Sequence, residues 1–158
     1  MTPRKHPHSI EQNDPASSVS AGAVIRDERG RVLIVDPVYK PYWNLPGGHA
    51  EENETPRETC RREILEELNL DLDIGQLLVH ATIPVEAGPP HEYFIFDGGV
   101  VSARRQKEIR LQEGELRAFR FTAPGDLTDE DIAPFARPMW DSALRALSER
   151  RTIRIGAR

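Results

Sequence analysis

Short apolar runs separated by turn-forming clusters give the chain its outline. Val19 to Arg26 (VSAGAVIR) is small and β-branched, which favours a strand. Asp27-Glu28-Arg29-Gly30 is turn-like, and Val32-Leu33-Ile34-Val35 follows as a second strand. The pair predicts a hairpin with a loop longer than the two-residue minimum. Pro37 to Pro46 is a loop rich in proline and aromatics, closed by Gly47 and Gly48. Thr55-Pro56-Arg57-Glu58 has the form of a capping box: a threonine N-cap, proline at the first helical position and a glutamate reaching back. The helix it opens runs to Leu68, where Asn69 can take the left-handed conformation that ends a helix.

The second half is weaker in period. Asp73 to Val85 reads as extended, Gly88-Pro89-Pro90 as a turn, and Tyr93 to Val101 as a strand with a bulge at Gly98-Gly99. Arg104 to Arg110 reads as a charged loop and Leu116 to Thr122 as the last main strand. Met139, Trp140, Ala143, Leu144 and Leu147 recur at three and four within Ala136 to Arg150, which predicts an amphipathic helix covering a sheet. Strands precede, separate and follow two helices, so an α+β layered domain is expected. Residues 1–16, with Pro3, Pro7 and Pro15, are expected to form a flexible N-terminal arm, 17–150 one domain, and 151–158 a C-terminal tail. The basic tail RRTIRIGAR is expected to be a flexible end or a short extra strand.

Composition narrows the class. A length of 158 residues suits one domain. No apolar run approaches the ~18 residues of a membrane span, and no apolar segment follows the basic N-terminus, so neither a membrane partner nor a signal peptide is expected. The single cysteine, Cys60, excludes an internal disulfide and a multi-cysteine zinc site. A cytoplasmic enzyme or binding domain is the expected class. The net charge is −5, and the segment Gly48 to Asp71 holds eight acids against three bases, so this stretch carries the whole excess. A concentrated acidic patch attracts cations and argues against a grip on a nucleic-acid polymer.

The acids lie on the central helix. On a helical wheel Cys60, Ile64 and Leu68 form the buried stripe, with Glu63, Glu66 and Glu67 grouped beside it. Like charges at those spacings repel by about 0.2–0.5 kcal/mol per pair, and carboxylates in the C-terminal half oppose the helix dipole. Stability alone would place lysine among them. A hard divalent cation such as Mg²⁺ takes oxygen ligands and gives the clustering a purpose. A solvated acidic face is the plain alternative for an arbitrary glutamate-rich helix.

The frame around the helix resembles the Nudix box, G-x5-E-x7-R-E-U-x-E-E-x-G-U with U a bulky aliphatic. Gly48, Glu54, Arg62, Glu63, Ile64, Glu66, Glu67 and Leu70 fill its positions, and Asn69 stands where the second glycine is usual. The box covers 23 of the 158 residues. Trp43-Asn44-Leu45-Pro46-Gly47 is similar to the family's lead-in, and Phe121 to Leu127 to its strand-to-loop ending. The resemblance implies a mixed β-sheet sandwiched between helices, with the box as a loop-helix-loop. It implies a Mg²⁺- or Mn²⁺-dependent hydrolase in which water attacks a phosphorus of a nucleoside diphosphate linked to another moiety. The partner would be a small nucleotide-type molecule, and a homodimer is compatible with the family.

Carried over by position, Glu66 and Glu67 are expected to ligate metal, with the Gly47 carbonyl as a backbone ligand. Glu63 is the expected general base or a further ligand, Arg62 orients Glu63, and Glu54 braces the loop or holds a metal-bound water. One more ligand is expected ahead of the last strand: Glu115, or Glu113 in its place. Gly48 is expected beside the substrate, with Tyr39, Tyr42 and Trp43 as stacking candidates; packing under the glycine loop is the alternative for Trp43. Tyr93 and Phe96 have a core reading at least as good as a stacking one, and Met139 and Trp140 read as helix–sheet packing. His49, within the box loop, is placed to approach a phosphate or, more plainly, is an exposed loop histidine; His80 and His91 read as surface residues. Two rival functions stand beside the hydrolase. A diphosphate isoprenoid isomerase would need a reactive cysteine, and Cys60 lies on the buried stripe. A catalytically silent nucleotide-binding or regulatory module would tend to lack the box carboxylates.

Overall fold

The elements, in chain order, are β1 (Val19–Arg26), β2 (Val32–Pro37), β3 (Gly47–His49), α1 (Pro56–Leu68), β4 (Leu77–Ile83), β5 (His91–Val100), α2 (Ala103–Gln106), β6 (Leu116–Thr122), α3 (Arg137–Glu149) and β7 (Ile153–Gly156). They come from a computed structural model that describes residues 18–156. The expected N-terminal arm lies outside the described residues. The strands form one seven-stranded mixed sheet in the order β6-β2-β1-β5-β4-β7, with β3 alongside β1. β1 and β5 are parallel, as are β4 and β7, and the remaining pairs are antiparallel.

The sheet is covered on both faces, so its central strands bury side chains in both directions. On one face Val24, Val32 and Ile34 pack with Met139, Trp140, Ala143 and Ala146 of α3. On the other, Ala23, Ile25, Leu33 and Val35 pack with Cys60, Ile64 and Leu68 of α1. This explains why β1 and β2 read as near-continuous apolar runs without clear alternation. The α+β fold with a mixed sheet between helices is therefore the one found.

The local signals of α1 are all present. Thr55 accepts from the Glu58 amide while Glu58 reaches back to the Thr55 amide, and Asn69 closes the helix at φ 63°, ψ 30°. The Asn69 amide donates to the Leu65 carbonyl at 2.9 Å, and its side chain holds the Glu108 carbonyl at 3.0 Å. Asparagine thus does here what glycine does at such a cap, and adds a tether. The bulge in β5 falls where β1 steps from Asp97 to Gly99.

Two expectations change, and one of two alternatives is found for the tail. The stretch from Arg104 to Arg110 is not simply a loop: it begins within α2, which Ser102 caps by accepting from the Arg105 amide. The extended stretch after α1 contracts to β4. The tail offers two alternatives, and a strand is found over Ile153–Gly156, parallel to β4 and hydrogen-bonded along Val79 to Thr82. Among the described residues no helix is long and apolar enough to cross a membrane.

Candidate active site

Two glycines bring the sheet against the flank of α1. β3 pairs with β1 through Gly47↔Gly22 and Gly48↔Ala21. A methyl on Gly47 would lie 2.2 Å from the Ala21 carbonyl oxygen, and φ there is +151°, so no side chain fits. A methyl on Gly48 would lie 2.4 Å from the carboxyl carbon of Glu63. The space of that missing side chain is filled by a glutamate head. One turn further along α1, Glu67 accepts the Gly47 amide at 3.0 Å. Glu63 and Glu67 are buried at 4% and 8% exposure, an unusual state for carboxylates that needs compensating partners.

Arg62 supplies much of that compensation. Its guanidinium donates to Glu54 through Nε at 2.6 Å and Nη2 at 3.0 Å, to Glu63 at 3.1 Å, and to both oxygens of Glu66 at 3.2 and 3.3 Å. Nη2 also donates to the His49 carbonyl at 3.0 Å, which ties the end of β3 to α1. Ringed by carboxylates, Arg62 is held cationic even more firmly than an ordinary arginine, although burial opposes the charge. Glu54 responds in the opposite sense. Burial pushes its carboxyl up, but the hydrogen bonds from Arg62, the Glu51 amide and the Thr59 hydroxyl outweigh it and bring the pKa down to about 2. Glu54 thus braces the box loop against the helix.

The donor set fits a hard divalent cation in kind. Glu63, Glu66 and Glu67 offer only oxygen, and they lie next to a loop whose backbone approaches closely because it lacks side chains. Glu63 and Glu66 are turned to Arg62, and Glu67 to the Gly47 amide. Among the described residues no group of three or more Asp, Glu, His or Cys side chains is arranged to hold an ion as it stands.

Glu67 and both glycines line a cleft of about 200 Å³. Tyr39, Asn44, Tyr93, Phe135, Met139 and Trp140 line the rest, with Lys40 at the loop. Tyr93 and Phe135 stand with ring centroids 6.3 Å apart, and Phe135 is 61% exposed. Gly48 lines this cleft as expected; Tyr42 and Trp43 are not among its lining residues. Trp43 packs against the α3-side core, with the Arg120 guanidinium 4.5 Å above its ring. Of the three aromatic candidates, Tyr39 lines the cleft and Trp43 packs in the core; Phe135, just ahead of α3, joins Tyr39 and Tyr93 on the lining.

The loop before β6 reaches the end of α1. Its Arg110 and Gln112 amides donate to the carbonyls of Leu68 and Glu67 at 3.0 Å each. Glu115 is half-buried beyond this tether and Glu113 is exposed; neither is among the residues lining the cleft. His49 and His91, expected at the surface, are half-buried and hydrogen-bonded to Ser20 at 3.2 and 2.9 Å. Burial pushes the Cys60 thiol up to about 12, with Glu67 adding to the rise and Arg57 opposing it, so it is held as an inert thiol.

Comparison with known proteins gives a consistent picture. The model of the NUDIX domain matches residues 16–142. An 8-oxo-dGTP diphosphatase from Proteus vulgaris is 38% identical over 62 residues, 37% of this chain and 55% of that protein. An RNA pyrophosphohydrolase from Helicobacter pylori (strain P12) is 31% identical over 107 residues, 62% of this chain and 68% of that protein. The crystal structure of a MutT NUDIX hydrolase from Burkholderia pseudomallei is 26% identical and superposes with a TM-score of 0.64, over 78% of this chain and 95% of that one. The chain spans about half the length of the first curated relatives it matches.

Proposed function

This chain belongs to the Nudix hydrolase family, and from that premise we propose that it is a divalent-metal-dependent pyrophosphohydrolase. Its substrate is a nucleoside diphosphate linked to another moiety. The observation that carries this reading is that Glu67, Gly47 and Gly48 line the same cleft as the aromatic rings of Tyr39, Tyr93, Phe135 and Trp140. Such a cleft suits a molecule with a planar base at one end and a charged diphosphate at the other.

Nudix hydrolases generally use divalent metal ions. Mg²⁺ or Mn²⁺, when bound, would neutralise the diphosphate and polarise its phosphoryl oxygens. Glu66, Glu67 and the Gly47 carbonyl are the proposed ligands, with Glu115 as an additional one and Glu113 its alternative. Glu63 is the proposed acceptor of the proton that water gives up as its oxygen bonds to phosphorus and the bridging oxygen leaves with the electron pair of the broken bond. Arg62 fixes the direction of the Glu63 carboxylate, and Glu54 fixes Arg62. Tyr93 and Phe135, with Tyr39 at the rim, are the proposed base-stacking residues.

The test is a panel of nucleotide sugars, dinucleoside polyphosphates, ADP-ribose, oxidised nucleoside triphosphates and an RNA with a 5′ phosphoanhydride, incubated with Mg²⁺ or with chelator. Cleavage of at least one member, abolished by chelator, is expected. Glu67→Gln should then lower kcat by about 10³-fold. It should leave unfolding of the metal-free protein nearly unchanged, because the glutamine carbonyl can still accept the Gly47 amide. Retained activity in Glu67→Gln removes the ligand assignment. A panel that goes uncleaved but is bound favours the silent nucleotide-binding module.

A further inference from the structure

Beside the carboxylates lies a second polar cluster that the proposed chemistry does not use. Ser20 on β1 sits between His49 on β3 and His91 on β5. Its Oγ is 3.2 Å from His49 Nδ1 and 2.9 Å from His91 Nε2. Strand pairing fixes the trio, because Ser20 is opposite His49 on one side and opposite Tyr93 on the other. The His91 ring leans on Tyr93 at 4.5 Å and meets the His49 ring edge-on at 5.8 Å. Ser20, His49 and Tyr93 all line the cleft next to Gly48.

A hydroxyl carries one proton, so it can donate to only one of two imidazoles and must accept from the other. The two rings are therefore locked in opposite senses. If Ser20 donates to His49 Nδ1, the proton of a neutral His49 sits on Nε2, and His91 Nε2 donates to Ser20. If the chain runs the other way, His49 offers the cleft a lone pair. The surroundings choose between these. The carboxylates of Glu63 and Glu67 stand close by, and the Gly47 amide is engaged by Glu67. Among the described residues lining the cleft, Lys40 is the one lysine or arginine. An anionic phosphoryl oxygen arriving there gains from an N–H and is repelled by a lone pair.

Resting on the phosphoanhydride reading above, we propose that His49 is a substrate-binding residue whose Nε2–H donates to a phosphoryl oxygen, and that Ser20 and His91 are positioning residues that set its tautomer. The His49 carbonyl is already held by Arg62, so one residue joins the carboxylate network to the substrate through its backbone and its ring.

Two substitutions separate the ring nitrogens, since a glutamine amide reaches the place of Nε2 and an asparagine amide that of Nδ1. His49→Asn should lower kcat/KM by about 10- to 100-fold, the scale of one hydrogen bond to a charged oxygen, chiefly through KM. His49→Gln should recover most of the loss. Nitrogen-15 NMR of the imidazoles should show His49 protonated at Nε2 in the wild type, and a mixture of tautomers in Ser20→Ala. Adding ADP should shift the His49 Nε2 resonance in the wild type. Equal activity in the two His49 variants, a proton on Nδ1, or a resonance indifferent to ADP overturns the proposal. Because the spectra need no turnover, they decide this point even if the panel of substrates goes uncleaved.

Discussion

Gly48→Ala isolates the most confined contact of the site. The backbone at Gly48 is not in the left-handed region, so alanine adds no conformational strain of its own. What it adds is a methyl 2.4 Å from the Glu63 carboxyl carbon and 2.6 and 2.7 Å from its oxygens, where ordinary contact begins at 3.4 Å. Glu63 must therefore retreat by about 1 Å, away from a position fixed by Arg62 at 3.1 Å. Overpacking of this size costs about 1–3 kcal/mol. A displacement of about 1 Å in a reacting group costs about 100-fold in rate. The cause can be isolated by a double-mutant cycle with Glu63→Ala, read by urea unfolding of the four proteins. Gly48→Ala should cost about 1–3 kcal/mol in the wild type and close to nothing once the Glu63 head is gone, a coupling within the usual range for touching residues. If Gly48→Ala costs the same in both backgrounds, the methyl meets something other than Glu63, and the reasoning fails.

Two further outcomes are expected. The depressed Glu54 carboxyl contributes stability that is complete above its ordinary value near pH 4.5 and disappears as pH falls toward about 2. The stability difference between wild type and Glu54→Gln should thus hold at neutral pH and shrink across that window; urea midpoints that differ equally at every pH would refute it. Phe135→Ala should leave thermal unfolding almost unchanged, since the ring is 61% exposed, and should weaken ADP binding by about 10-fold. Calorimetric titration showing undiminished affinity would remove Phe135 from the base site.

The sequence revealed what local chemistry dictates. The cap at Thr55, the stripe Cys60-Ile64-Leu68 and the stop at Asn69 each depend on neighbours within a few residues, and all three are found. The buried carboxylates were legible as a conflict: like charges placed where a helix disfavours them. Contacts made across the sheet were not legible. β3 has no strand-like side chains, because Gly47 and Gly48 are selected by how near β1 and α1 must come. Phe135 and Tyr93 lie 42 positions apart in the chain and face one another only once α3 is docked. Ser20, His49 and His91 carry no spacing signal, since their meeting is a product of strand order. Tyr42 and Trp43 are near the glycines along the chain but do not line the cleft, whereas Tyr39 does.

β1 changes partners along its length, meeting β2 at Arg26 and β3 from Ser20 to Gly22. The sheet therefore forks, and the cleft opens beside the fork. Backbone pairing on β1 fixes the prong that carries the glycines, and no insertion can shift it without tearing the central strand. The connection across positions 38–46 is held at its flanks instead: Val38 donates to the Glu115 carbonyl at 2.9 Å, Trp43 to that of Asp131 at 2.8 Å, Asn44 bridges to Val35, and the Pro46 carbonyl accepts the Ala23 amide at 3.1 Å. Such a layout holds the glycine prong constant while the surface segment 39–42, between those ties, can be rewritten, so one backbone can present different cleft walls over evolutionary time.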